Sequence, residues 1–140
     1  MATWKDVRTI ALGLSDTTEG VSRGWAQWRV GGNLFVWERP LLRPDLVALG
    51  NDAPAGPLLG ARIEHEGLKA VLIDEDPEVF FTIPHFDGCA AILIVLEKIG
   101  RARLRKVITD AWLLRQKKPR KAGVAPRKRR AAAPKRRATR

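Results

Sequence analysis

The stretch Trp25-Ala26-Gln27-Trp28-Arg29-Val30-Gly31-Gly32-Asn33-Leu34-Phe35-Val36-Trp37 runs with a period of two around a pair of adjacent glycines. That period belongs to a half-buried strand, and a Gly-Gly pair supplies the positive φ angles of a two-residue hairpin turn. The sequence therefore predicts a β-hairpin over residues 25–38. If the two glycines are the whole turn, Trp28 lies opposite Phe35 and Val30 opposite Asn33. Ala26 and Trp37 then share that face, while Arg29, Leu34 and Val36 point the other way. An aromatic sheet face of this kind needs a covering layer, and the flanking sequence offers helices.

On the N-terminal side, Trp4, Val7, Ile10, Ala11 and Leu14 recur at steps of three and four, the spacing of one helix face, with Thr3 as N-cap and Gly13 near the end. The polar, acidic stretch Ser15 to Gly20 reads as a loop. On the C-terminal side, residues 39–60 hold four prolines and read as irregular connection with at most a short helix around Pro44 to Leu49. Leu68 to Ile73 reads as a strand. Asp74-Glu75-Asp76-Pro77-Glu78 reads as an acidic helix start with proline at the first position, followed by a short helical turn. The run Ala90 to Leu96 is apolar on both faces and is the expected centre of the sheet. From Arg101 to Gln116, Leu104, Val107, Ile108, Ala111 and Trp112 form one apolar stripe, with Arg103, Lys106 and Asp110 opposite. The sum is an α+β domain: an antiparallel sheet with N- and C-terminal helices, spanning residues 1–117.

Charge divides the chain differently. Its 140 residues include 26 Lys+Arg and 15 Asp+Glu, a net charge of +11. Residues 115–140 contain 13 of the basic residues and no acidic one, which leaves 13 basic against 15 acidic residues before them, a net of −2. Beyond Lys118 the composition reduces to Ala, Pro, Lys, Arg, Gly, Val and Thr, with a near-repeat of Ala-Pro followed by basic runs at Ala125 to Ala131 and Ala133 to Ala138. Residues 118–140 are expected to be a disordered polybasic tail. Cations dispersed among Ala and Pro have the composition of linker-histone-type tails, and they favour a polyanion without choosing it. Lys117, Lys118, Arg120, Lys121, Arg127, Lys128, Arg129, Arg130, Lys135, Arg136, Arg137 and Arg140 are the candidate nucleic-acid contacts. In the body, Arg29, Asn33, Arg103, Arg105 and Lys106 are candidates too, as is Lys69 if it reaches the same face.

The N-terminus carries Lys5, Asp6 and Arg8 where a signal peptide has an apolar core, and no apolar run reaches the roughly 20 residues of a membrane span. One cysteine, Cys89, allows neither an intramolecular disulfide framework nor a cysteine-based zinc site. These features point to the reducing cytoplasm, with nucleoid association if DNA is the partner.

The hairpin, the sequence Phe-Phe-Thr-Ile-Pro-His-Phe-Asp-Gly at Phe80 to Gly88, the strand Ala-Ile-Leu-Ile-Val-Leu at Ala91 to Leu96, and the closing Ala-Trp-Leu-Leu at Ala111 to Leu114 resemble the MmcQ/YjbR-like family over roughly Thr3 to Lys117. The resemblance implies a compact α+β domain, DNA binding through a double-wing arrangement of hairpins, and no enzyme activity or cofactor. By position the first wing has Gly31-Gly32 at its tip; the second involves the region from Leu68 through the Pro84 to Gly88 loop. The chain departs from the family pattern at Asn33, where a Lys is common, and at Trp25-Ala26, where His-Pro is common.

The residues offer little for catalysis. The two histidines, His65 and His85, stand in no metalloprotease, nucleotide-binding or serine-hydrolase motif. His85 with Asp87 and Cys89 could form a nucleophilic pair or metal half-site, but the preferred reading is a loop histidine bonded to backbone and a buried cysteine before an apolar strand. The acidic cluster at Asp74, Glu75, Asp76 and Glu78 reads as helix capping rather than cation binding. Trp4, Trp28, Phe35, Trp37 and Trp112 read as core, with Trp25 the one candidate for an exposed stacking ring and Leu113 a candidate partner contact. The reading is a non-enzymatic DNA-binding protein with no cofactor or metal and RNA as the second polyanion. The alternative is a ligand- or protein-binding module with a pocket near Pro84 to Gly88 and the tail as a generic RNA or ribosome anchor.

Overall fold

The computed structural model describes residues 2–116, so the candidate contacts from Lys117 onward lie outside the described residues. Helix α1 spans Trp4–Leu12 and begins where the sequence said it should. Thr3 accepts from the Asp6 N–H, and the Asp6 carboxylate accepts from the Thr3 N–H at 2.9 Å, a reciprocal capping box. Val7, Ile10 and Ala11 are its buried positions.

Strands β1 (Thr17–Ser22), β2 (Trp25–Val30) and β3 (Asn33–Glu38) follow as a meander. Strand β1 replaces the loop expected at Ser15 to Gly20: it is a polar, largely exposed edge strand paired with β2 along its whole length. Both turns use two residues at positive φ, Arg23 and Gly24 (56° and 85°) and Gly31 and Gly32 (57° and 87°). Positive φ at both central residues defines the two-residue turn whose twist matches that of the strands.

The register of the β2–β3 hairpin corrects one expectation. Val30 pairs with Asn33 as expected, but Trp28 pairs with Val36, because β3 carries an extra residue at Phe35. A bulge of this kind turns two consecutive side chains toward one face. Phe35 and Val36 are accordingly both fully buried in the main core, and Trp37 is carried to the opposite face.

Helix α2 (Arg43–Leu49) is the short helix expected there, and β4 (Leu58–Arg62) emerges from the end of the stretch expected to be irregular. Leu68–Glu75 forms helix α3 rather than a strand. Its inward positions Leu68, Lys69, Leu72 and Ile73 recur at helical spacing, which a six-residue apolar run conceals. Asp74 and Glu75 end α3 and Asp76 caps it, a role the sequence does not foretell, while the short turn expected after Pro77 is present, the Asp76 carbonyl accepting from the Val79 and Phe80 N–H groups at 3.0 Å.

Strands β5 (Phe80–Phe81) and β6 (Ala91–Val95) complete a six-stranded antiparallel sheet in the order β1-β2-β3-β4-β6-β5. All five residues of β6 are buried, as its apolar run demands, but it is the fifth strand rather than the middle one. Helix α4 (Arg101–Arg115) lies with α1 on one face of the sheet, burying Leu104, Ile108 and Ala111. The other face bears a smaller core of Trp37, Ile83, Phe86, Ala91 and Leu93, flanked by α2. No helix among the described residues is long and apolar enough to cross a membrane.

Candidate nucleic-acid interface

The first candidate residue lies at the Gly31-Gly32 tip. Arg29 is exposed and leans along the hairpin, donating to the Gly32 carbonyl at 3.2 Å and to Gln27 Oε1 at 2.9 Å. Asn33, the residue after the turn, is committed to the fold: its Nδ2 donates to the Arg115 carbonyl at 3.0 Å. Arg115 makes the reverse connection, its Nε donating to the Leu34 carbonyl at 3.1 Å. The last turn of α4 is thus tied to the hairpin tip by two hydrogen bonds, while the Arg29 side chain, alternating with the buried Trp28 and Val30, lies on the other face of the hairpin. Asn33, which stands where the family resemblance implies a Lys, uses its amide to fix the last turn of α4.

The other body candidates lie elsewhere. Arg103 binds Glu75 at 2.7 Å with its guanidinium carbon 5.1 Å from the Phe80 ring centroid, and Lys106 binds Asp110 at 3.0 Å. Arg105 is exposed and in no ion pair among the described residues. These three sit in the first half of α4, about 14 to 18 Å along the helix axis from Arg115 at a rise of about 1.5 Å per residue. Lys69 is buried, its Nζ donating to the Phe86 carbonyl and lying 3.6 Å from Glu66. The structure brings Asn33 to the end of α4, leaves Arg29 on the other face of the same hairpin, and gathers neither Lys69 nor Arg103, Arg105 and Lys106 with them.

The Pro84 to Gly88 loop is a 3-10 turn whose Phe86 is buried against Trp37, with ring centroids 6.3 Å apart. Arg39 lies over the Phe86 ring at 5.8 Å and pairs with Asp45 at 3.1 Å, both side chains nearly buried. Arg62 lies over Trp37 at 5.5 Å and donates to Cys89 Sγ at 3.6 Å. Phe86 thus ties the loop into the smaller core. His85 is exposed and tilted against Phe86, and no group of three or more His, Cys, Asp or Glu among the described residues is placed to hold a metal ion. Trp25 is half-buried rather than an open stacking platform. The feature that the sequence does not disclose is a cavity of about 440 Å³ between α3 and α4, with Leu68, Leu72, Val107 and Leu114 in its wall and Glu64 and Asp110 at its edge. Recognising Leu68–Glu75 as a helix is the precondition for seeing it.

Two solved structures share the architecture. The Deinococcus radiodurans protein DR2400, which carries the domain DUF419 of the YjbR/MmcQ-like fold type, superposes with a TM-score of 0.61 at 14% identity, covering 81% of this chain and 78% of that one. A Pseudomonas syringae protein superposes with a TM-score of 0.63 at 12% identity, covering 81% of this chain and 99% of its own. At these identities the likeness is one of fold. No family model matches the chain. In sequence, the uncharacterized proteins Rv2570 of Mycobacterium tuberculosis and Mb2600 of Mycobacterium bovis are each 45% identical over 121 residues, 84% of this chain and 92% of theirs. The chain therefore belongs to the family of these mycobacterial proteins, built on a DUF419-type α+β fold.

Proposed function

We propose that this protein binds DNA without reading its sequence, with a polybasic tail supplying the affinity and a MmcQ/YjbR-like, double-wing-type body holding the tail in place. The observation that carries this reading is the point of departure of the tail. Asn33 and Arg115 tie the end of α4 to the Gly31-Gly32 tip, so the 12 basic residues after Gln116 follow directly on that tip. A body through Gln116 with a net charge of −1 contributes no general attraction to phosphate, and the excess charge lies in the tail. Cations carried on a segment without a scaffold to aim them neutralise phosphate and release counterions, and base edges go unread.

Replacing Arg127, Lys128, Arg129 and Arg130 together by Gln tests this. Fluorescence anisotropy on two unrelated duplexes should show affinity falling by similar factors on both. The slope of log K against log salt should flatten by about 0.9 for each phosphate that is no longer neutralised, up to roughly 3.6. An unchanged slope, or weakening confined to one duplex, contradicts the reading; tighter binding to an RNA duplex of the same length would move the target from DNA to RNA.

A further inference from the structure

We infer that the groove between α3 and α4 is a docking surface for the chain's own segment Ala122-Gly123-Val124-Ala125-Pro126. The groove is apolar at its floor, where Leu68 and Leu72 of α3 face Val107 and Leu114 of α4; at its edge Glu64 and Asp110 stand exposed, Asp110 paired with Lys106 at 3.0 Å, and Arg62 lines the wall with its guanidinium over Trp37. Leu114 is 42% exposed and Leu113 beside it 56%, so apolar surface at this end of α4 is left open to water. Patches of that kind mark binding surfaces more often than isolated apolar residues do.

Three observations select the occupant. The groove's own wall at Leu113 and Leu114 is only two residues from Gln116, where the described chain ends. From Gln116, eight residues of extended chain reach at most about 29 Å, ample to turn back along the roughly 10 Å of α4 between Leu114 and Val107. The charge pattern also matches. The longest uncharged run beyond Gln116 is Ala122 to Pro126, with Arg120 and Lys121 before it and Arg127 and Lys128 after it. Seating Val124 over the apolar floor brings these cations to the carboxylates of Glu64 and Asp110. One small apolar side chain and exposed ion pairs bind weakly, but a segment tethered this closely acts at an effective concentration on the order of millimolar. A dissociation constant of that same order leaves about half the molecules docked.

The consequence for DNA rests on the function proposed above: docked and DNA-bound tails compete for Lys121, Arg127 and Lys128, and freeing the segment raises duplex affinity by about twofold. The test uses the full chain labelled with nitrogen-15 and the variant Val124→Ser, which leaves tail charge unchanged. The amides of Glu64, Leu72, Val107 and Leu114 should shift between wild type and variant, by amounts unaffected by tenfold dilution. The combined variant Glu64→Gln/Asp110→Asn should move the Lys121 and Arg127 amides. Groove amides indifferent to Val124→Ser overturn the proposal, as do shifts that fade on dilution, which would seat a second copy in the groove. Anisotropy with an unlabelled duplex separates the two readings. Groove shifts with no duplex binding by either chain uphold the docking and overturn the DNA reading, whereas duplex binding with silent groove amides does the reverse.

Discussion

Gly60 has no side chain because Trp37 occupies its space: a Cβ there would lie 2.5 Å from the indole ring. The two residues are direct partners across β3 and β4, and Trp37 reaches this face only through the bulge at Phe35. Gly60→Ala is expected to cost about 1–3 kcal/mol, the range for overfilling a packed site, and less when Trp37 is replaced by Leu; denaturant titration of the single and double variants measures the coupling. On the main face, Trp28 is 2% exposed, stacks on Trp4 with centroids 6.3 Å apart, and donates its indole N–H to Glu19 at 3.0 Å. Trp28→Ala should therefore destabilise by roughly 3–5 kcal/mol, the usual cost of removing a large buried aromatic. A near-neutral result would mean that the ring faces solvent and is free to stack on bases.

The elements show which parts of the fold are legible in the sequence. Helices α1 and α4 are, because their apolar stripes run over several turns and Thr3 and Gly13 mark the limits of the first. Strand β1 is not, since an exposed polar edge strand leaves no apolar pattern. Helix α3 passes for a strand because Val71 and Ile73 lend a short apolar run that look, and β4 is hidden behind Pro57 with Gly60 at its centre. The cap of α1 makes a prediction about acid. The Asp6 carboxyl is held below its ordinary value by the Thr3 N–H, with Arg101 adding to the effect and partial desolvation opposing it. A folded-state value below the unfolded one gives stability that is present above the ordinary pKa of 3.8 and is lost as the pH falls through and below it. Asp6→Ala should thus be less stable than wild type near neutral pH, with thermal midpoints that converge as the pH drops below that value. A gap that stayed constant would mean that the capping carboxylate does not stabilise α1.

At the scale of the molecule, the division into a near-neutral body and a polycationic arm is plain from the charges, and the point where the two meet is not. Asn33 and Arg115 are 82 residues apart in sequence, and no local pattern foretells their hydrogen bond. Both apolar cores are assembled from residues within 2–116, so a chain ending at Gln116 should keep its thermal midpoint to within a few degrees and allow the arm to be judged by its removal. The decisive measurement is the salt dependence of duplex affinity for that shortened chain and the full one. If the arm engages about 6–10 phosphates, the full chain should show a slope of log K against log salt of roughly −5 to −9, and the shortened chain weak binding with a slope of small magnitude. A folded, shortened chain that matched the full-length affinity and slope would contradict the claim that the arm does the binding.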